Sequence, residues 1–124
     1  MFNVNIERIG NVAVIHCEGR LVRSDAACQL RDAVTNERDA SVILVDLSGL
    51  GALEGGGLGM LVFLQRWARD HDIQFKVFDP PAGVQESLER ARSAAAVEIA
   101  GMGEALSLLG WEPRELWSDP RRAS

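Results

Sequence analysis

Apolar residues recur in two rhythms along this chain, and the switches between them mark its elements. Val4 to Ile9 alternates and predicts a strand. Gly10-Asn11 is a turn signal, and Val12 to Cys17 predicts a second strand, so the pair reads as a hairpin. Ser24-Asp25 reads as a helix N-cap, with Ala27, Leu30 and Val34 at helical spacing after it and the polar Asn36 to Asp39 ending the helix. Val42 to Leu47 is apolar throughout except at Asp46, as expected of a central strand or one covered on both faces. Leu58 to Asp70 predicts a helix with a core stripe of Leu58, Leu61, Val62, Leu64 and Ala68. Ile73 to Phe78 predicts a strand closed by Asp79-Pro80-Pro81. A short helix over Gly83 to Arg92, an edge strand over Ala94 to Ile99 and a last helix over Met102 to Leu109, stopped by Gly110, complete the chain. The order β-β-α-β-α-β-α-β-α predicts an α/β fold, a mixed sheet with helices packed on it.

Composition narrows the class. The chain has 124 residues, enough for one domain with one core. Its formal net charge of −5 disfavours nucleic acid and anionic membrane as main partners. No apolar run reaches the length of a membrane span, and the first residues lack a charged-then-apolar leader, so no signal peptide is expected. Cys17 and Cys28 have no metal-ligand spacing and fit a reducing, cytoplasmic setting, each as a small buried hydrophobe.

The parts of a catalytic or metal site are missing. His16 lies mid-strand with no triad partner recognisable nearby, and His71 sits in a charged loop, Arg69-Asp70-His71-Asp72, read as solvated. Asp70 and Asp72 are too short a motif for a calcium loop. No Gly-x-Ser-x-Gly elbow and no Walker pattern occurs, so no enzyme activity, cofactor or metal is expected.

What stands out is Glu54-Gly55-Gly56-Gly57-Leu58-Gly59, at the predicted start of the second helix. Glycines there let another backbone approach closely, and a helix start carries unpaired N–H groups and partial positive charge. The run reads either as a tight strand-to-helix connection or as an anion site. Glu54 reads either as a favourable charge at the helix start or as a fixed negative charge for a partner's Arg or Lys. Ser24 reads as a cap and Ser48 as a turn residue. Farther along the helix, Met60, Phe63 and Trp67 share one side, away from the centre of the core stripe. They either pack under a neighbouring helix or form an exposed apolar patch of the kind that marks interfaces. Beyond the last helix, Trp111 reads as a staple of that helix to the sheet, and Trp117 folds back or reaches a neighbour.

Asp46-Leu47-Ser48 and Gly57-Leu58-Gly59 resemble the signature of STAS domains, the family of bacterial anti-sigma factor antagonists. That signature runs from a strand into Asp-Leu-Ser, an apolar pair, then Asp-Ser-Ser-Gly-Leu-Gly opening a helix. Gly19 and Leu21 match a Gly-x-Leu after the second strand, and Glu104-Ala105-Leu106 matches a Glu-Ala-Leu in the last helix. The resemblance implies a STAS-like domain over residues 1–110, with 111–124 as a C-terminal extension. Two departures stand out. Glu54-Gly55-Gly56 replaces Asp-Ser-Ser, whose second serine takes the phosphate in phosphorylated members, so the equivalent position, Gly56, has no hydroxyl. Val22-Arg23-Ser24-Asp25 stands where the family often has Asp right after Gly-x-Leu.

By this resemblance the chain is expected to be a non-catalytic interaction module, cytoplasmic and constitutive or adaptor-like. Its partner-binding residues would be Glu54, Gly55, Gly56, Gly57, Leu58, Met60 and Phe63. The implied partner is an anti-sigma factor or another protein with an ATPase fold, in partner-switching control of transcription. A second version is an accessory subunit of an ABC transporter for lipids. Rival readings are a small-ligand or nucleotide sensor and a homodimer joined through Phe63 and Trp67.

Overall fold

The computed structural model describes residues 2–91 and 99–109. It contains β1 (Phe2–Ile9), β2 (Val12–Leu21), α1 (Ser24–Thr35), β3 (Val42–Leu53), α2 (Gly56–Asp70), β4 (Gln74–Phe78), α3 (Ala82–Ala91), β5 (Ile99–Ala100) and α4 (Met102–Leu108). The order is the one predicted, and the five strands form one mixed sheet in the order β1-β2-β3-β4-β5. β1 runs antiparallel to β2, and the remaining neighbours are parallel.

Alternation along the strands builds two unequal cores. Ala13, Ile15 and Cys17 of β2, Ile43, Val45 and Leu47 of β3, and Phe75 and Val77 of β4 point to one face. There they meet Leu30 and Val34 of α1, Leu61, Leu64 and Ala68 of α2, and Val84 and Leu88 of α3. The opposite face holds a smaller cluster of Val12, Val14 and Leu44 under Ala105 of α4. The apolar character of β3 on both sides thus has its expected cause: helices cover both faces. Of the predicted α2 stripe, Leu61, Leu64 and Ala68 are buried, and Leu58 and Val62 are partly buried against the same core.

Several boundaries move. β2 extends past Cys17 to Leu21, and β3 continues past Leu47 to Leu53, through residues read as a loop. Gly19 pairs with Leu50 after one register shift, and Arg20 with Ala52 and Leu21 with Leu53 after a second. β4 pairs with β3 only as far as Asp46↔Phe78. Beyond that point the ends of β2 and β3 form a narrow arm flanked only by β1, which pairs with β2 as far as Phe2↔Gly19. Ladder hydrogen bonds to β2 outweigh the weak strand preference of Ser48, Gly49 and Gly51. Ser48 is accordingly a strand residue and not a turn residue.

At α1 the cap position is Arg23, extended at φ −107° and ψ 163°, with no side-chain cap, and Ser24 is the first helical residue. Asp25 Oδ1 instead accepts the Ala26 N–H at 2.9 Å. β5 is an edge strand as expected, described over Ile99–Ala100. The earlier part of the predicted strand, Gly110 and the extension 111–124 lie outside the described residues.

Candidate functional site

The arm delivers the glycine run to one end of the sheet. Leu53 is buried and ends β3; Glu54 follows, exposed, with its N–H donating to the Leu21 carbonyl at 3.3 Å. This is the last tie between the arm and the connection to α2. The three glycines then do three different things. Gly55 caps α2 at φ +54° and ψ −120°, a conformation closed to residues with a side chain. Gly57 is buried, and a Cβ there would collide with the carbonyl oxygen of Leu21 and lie 2.7 Å from its carbonyl carbon. Gly56 is exposed, and a Cβ there would stand 3.8 Å from the Ser24 nitrogen and 3.9 Å from Val22 and Arg23 backbone atoms, an ordinary contact.

The structure thus sets the Val22–Arg23–Ser24 turn directly beside Gly55 and Gly56. Along α2, Gly56, Met60 and Phe63 follow at i, i+4 and i+7 on one side of the helix. Phe63 is 50% exposed, so it is not packed under a neighbouring helix. Met60 and Trp67 are partly buried against the main core. α1 packs beside α2 but leaves Phe63 uncovered. Of the residues expected to meet a partner, Glu54, Gly55, Gly56 and Phe63 are exposed, and Leu58 and Met60 are half-buried. Gly57 lies beneath them, and its role is to seat α2 on β2.

A shallow cavity of about 360 Å³ opens between this rim and α3, lined by Leu53, Glu54, Gly55, Leu58, Ser87 and Arg90. Sequence reading missed Ser87 and Arg90, because only the fold brings α3 to the rim. Ser87 Oγ donates to the Gly83 carbonyl at 3.3 Å, and an Arg90 Nη donates to Ser87 Oγ at 3.4 Å.

A second missed feature lies at the base of the arm, on the sheet face that carries the smaller core. His16 and Asp46 are Cα partners in the β2–β3 ladder. Nδ1 of His16 is 2.7 Å from Asp46 Oδ2, and its Nε2 is 3.0 Å from Glu7 Oε1. Ionised carboxylates only accept, so both bonds form together only when both ring nitrogens carry protons. Burial disfavours the charged ring, but the hydrogen bonds to Asp46 and then Glu7 outweigh it and raise the His16 pKa above 6.5. Burial likewise opposes the charge of Asp46, and the Ser48 backbone and side chain with His16 outweigh it, lowering its pKa below 3.8. The Ser48 N–H bond to Asp46 Oδ1 is 2.9 Å long and sits where β3 enters the arm. A sequence signal existed: His16 and Asp46 each stand fifth in an otherwise apolar run, Val12 to Cys17 and Val42 to Leu47.

The clasp has a pH window whose sign follows from these shifts. The His16 contribution is complete below pH 6.5 and lost as pH rises through the higher folded value. The Asp46 contribution is complete above pH 3.8 and lost as pH falls through the lower folded value. Stabilisation therefore peaks between the two. Thermal melts of wild type and His16→Gln should differ most near about pH 5.5 and converge by about pH 9. The difference is modest, because the ring is 38% exposed and screened by solvent. A gap that widens toward pH 9 would contradict the assignment.

Elsewhere, His71 is exposed, as read, but engaged. It stacks on Trp67 with ring centroids 4.6 Å apart, and its Nδ1 donates to the Trp67 carbonyl at 2.8 Å. Cys17 is buried, and burial followed by the nearby Asp46 charge pushes its thiol up to about 12. Cys28 is half-buried. Among the described residues no group of three or more His, Cys, Asp or Glu side chains is arranged to hold a metal. Among them too, no helix is long and apolar enough to cross a membrane.

A family model described as Mlab, STAS domain, matches residues 4–107. Among solved structures, the anti-sigma factor antagonist SpoIIAA in its unphosphorylated form is similar over 87% of this chain and 96% of its own, with a TM-score of 0.70 and 16% identity. An anti-sigma factor antagonist from Mycobacterium paratuberculosis is similar over 89% of this chain and 95% of its own, with a TM-score of 0.67 and 16% identity. The murine Solute Carrier 26 family member A9 anion transporter is similar over 84% of this chain but only 18% of its own, with a TM-score of 0.65 and 14% identity. At these identities the likeness speaks for the fold. No curated protein matches the chain. The strand-arm-helix geometry, its shared fold and a family match spanning residues 4–107 lead to one conclusion: this chain belongs to the STAS domain family.

Proposed function

We propose that this chain is a non-catalytic STAS interaction module that binds a protein partner through the rim Glu54, Gly55, Gly56 and the adjoining α2 face of Leu58, Met60 and Phe63. One observation carries the reading: Phe63 is a large aromatic side chain left half exposed on α2, on the same side of the helix as Gly56 and Met60. Exposed aromatics beside a polar border are typical of contact surfaces. The similarity to proteins named as anti-sigma factor antagonists supports a protein ligand over a small one. With glycine at position 56 the module binds without being released by phosphorylation there, as an adaptor or constitutive antagonist. The partner is an ATPase-fold protein, and the module works in the cytoplasm.

Capture from native cytoplasm, read by mass spectrometry, tests this directly. Wild type should enrich one ATPase-fold protein, either of the anti-sigma kind or an ABC ATPase, and its identity decides between the regulatory and transporter versions. Glu54→Lys reverses an exposed rim charge and should reduce capture by about tenfold or more, since like charges across an interface are strongly disfavoured. Enrichment that is indifferent to Glu54→Lys would overturn the assignment of the rim.

A further inference from the structure

A groove of about 570 Å³ lies between the end of β2 and the start of α1, on the far side of the Val22–Arg23 turn from α2. Its apolar lining is Phe2, Val22 and Ala26. Arg20 and Arg23 line it as well, both exposed, and neither forms an ion pair with another described residue. Alternation explains how they come together. Leu21 turns inward and is fully buried, so its neighbours Arg20 and Val22 turn outward.

This placement is electrostatically unfavourable for an isolated domain. Arg23 occupies the cap position of α1, where the helix end is itself partly positive. Asp25 also lines the groove, yet its Oδ1 is engaged by the Ala26 N–H. One carboxylate against two guanidinium groups leaves one positive charge in excess, in a chain whose net charge is −5. An anionic group from outside would remove that imbalance, and a guanidinium pair suits the planar carboxylate.

The groove and the rim border the same Val22–Arg23 turn. Backbone atoms of Val22 and Arg23 lie 3.9 Å from where a Gly56 side chain would begin. A partner seated on Glu54, Gly55 and Gly56 therefore reaches over the same turn.

Resting on the interaction-module reading, we infer that this groove receives an Asp or Glu side chain of the same protein partner, beside an apolar residue that covers Phe2 and Ala26. The partner is accordingly two-signed. It presents a basic group to Glu54 and an acidic group to Arg20 and Arg23.

The test uses the full chain and the partner purified after capture. A benzophenone amino acid replaces Gln29, which is exposed on the groove lining. Irradiation should attach it to a partner segment in which an Asp or Glu adjoins an apolar residue. Arg20→Glu combined with Arg23→Glu should weaken binding by about tenfold or more, and Arg20→Gln with Arg23→Gln by less. Replacing the cross-linked acidic residue with Lys should restore binding to the Glu double variant. Both arginines are exposed, so circular dichroism and melting should show all variants folded. A cross-link to a segment without an acidic residue, or to lipid or nucleic acid, would overturn the inference. So would binding unaffected by the double reversal. If Glu54→Lys abolishes binding while the double reversal does not, the groove inference falls and the interaction module stands. If wild type captures no protein, both fall.

Discussion

Gly57→Ala should destabilise this domain by about 3 kcal/mol or more, at the upper end of what overpacking costs. The added methyl would collide with the Leu21 carbonyl oxygen and stand 2.7 Å from Leu21 Cγ. A side chain can change rotamer to relieve crowding, but here the obstacle is mainly backbone. That backbone is held by the β2–β3 ladder and by the bond from Glu54 N–H. Relief therefore requires α2 to lift from β2, which would open the core around Leu61 and Leu64. Gly59→Ala is the matched control. No atom lies within 4 Å of its would-be Cβ, and it is helical and exposed. That change should stabilise by about 0.5–1 kcal/mol through helix propensity alone. Denaturant melts of the two variants measure opposite signs from the same substitution two residues apart. A neutral Gly57→Ala would show that α2 is not seated on Leu21.

Phe75→Ala should cost about 3–5 kcal/mol, whereas Phe63→Ala should leave stability within about 1 kcal/mol of wild type and weaken partner binding instead. Phe75 is 1% exposed, on β4 and within the main core. Truncating it removes the transfer energy of a whole ring and leaves a cavity that neighbours on a paired strand cannot close. Phe63 is 50% exposed, so truncation opens no cavity. Equilibrium unfolding of both, with partner capture by Phe63→Ala, separates packing from recognition. A Phe63→Ala chain that unfolds would make that ring part of the core and remove the observation on which the proposed interface rests.

The order of elements was legible because each apolar period is long enough to identify its element, as in α2 and in the Val42 to Leu47 run. The arm was not. Ser48, Gly49 and Gly51 carry turn chemistry, and only a neighbouring strand makes them extended. The side on which Met60, Phe63 and Trp67 fall was legible from helix geometry, but whether α1 covers it is a tertiary matter. His16 and Asp46 lie thirty residues apart, and their meeting depends on the ladder register. Arg20 drew no reading from the sequence and Arg23 only as part of the Val22–Asp25 departure, because it is the turn and the β1 start that enclose the groove they line. Ser24 looked like a cap because Ser-Asp precedes the apolar spacing, and the extended backbone of Arg23 places the helix start one residue earlier than that reading.

The glycine run also bears on how easily this module could be brought under control. Two of its three residues are fixed by the backbone, Gly55 by its conformation and Gly57 by its neighbour, whereas Gly56 meets only ordinary contacts. Packing does not forbid a hydroxyl there. A single exchange to serine would fit on the exposed first turn of α2 without rebuilding the arm. On the proposed reading, the missing hydroxyl could thus be restored by one exchange, and the site offers an engineering handle for making the proposed binder answer to a kinase.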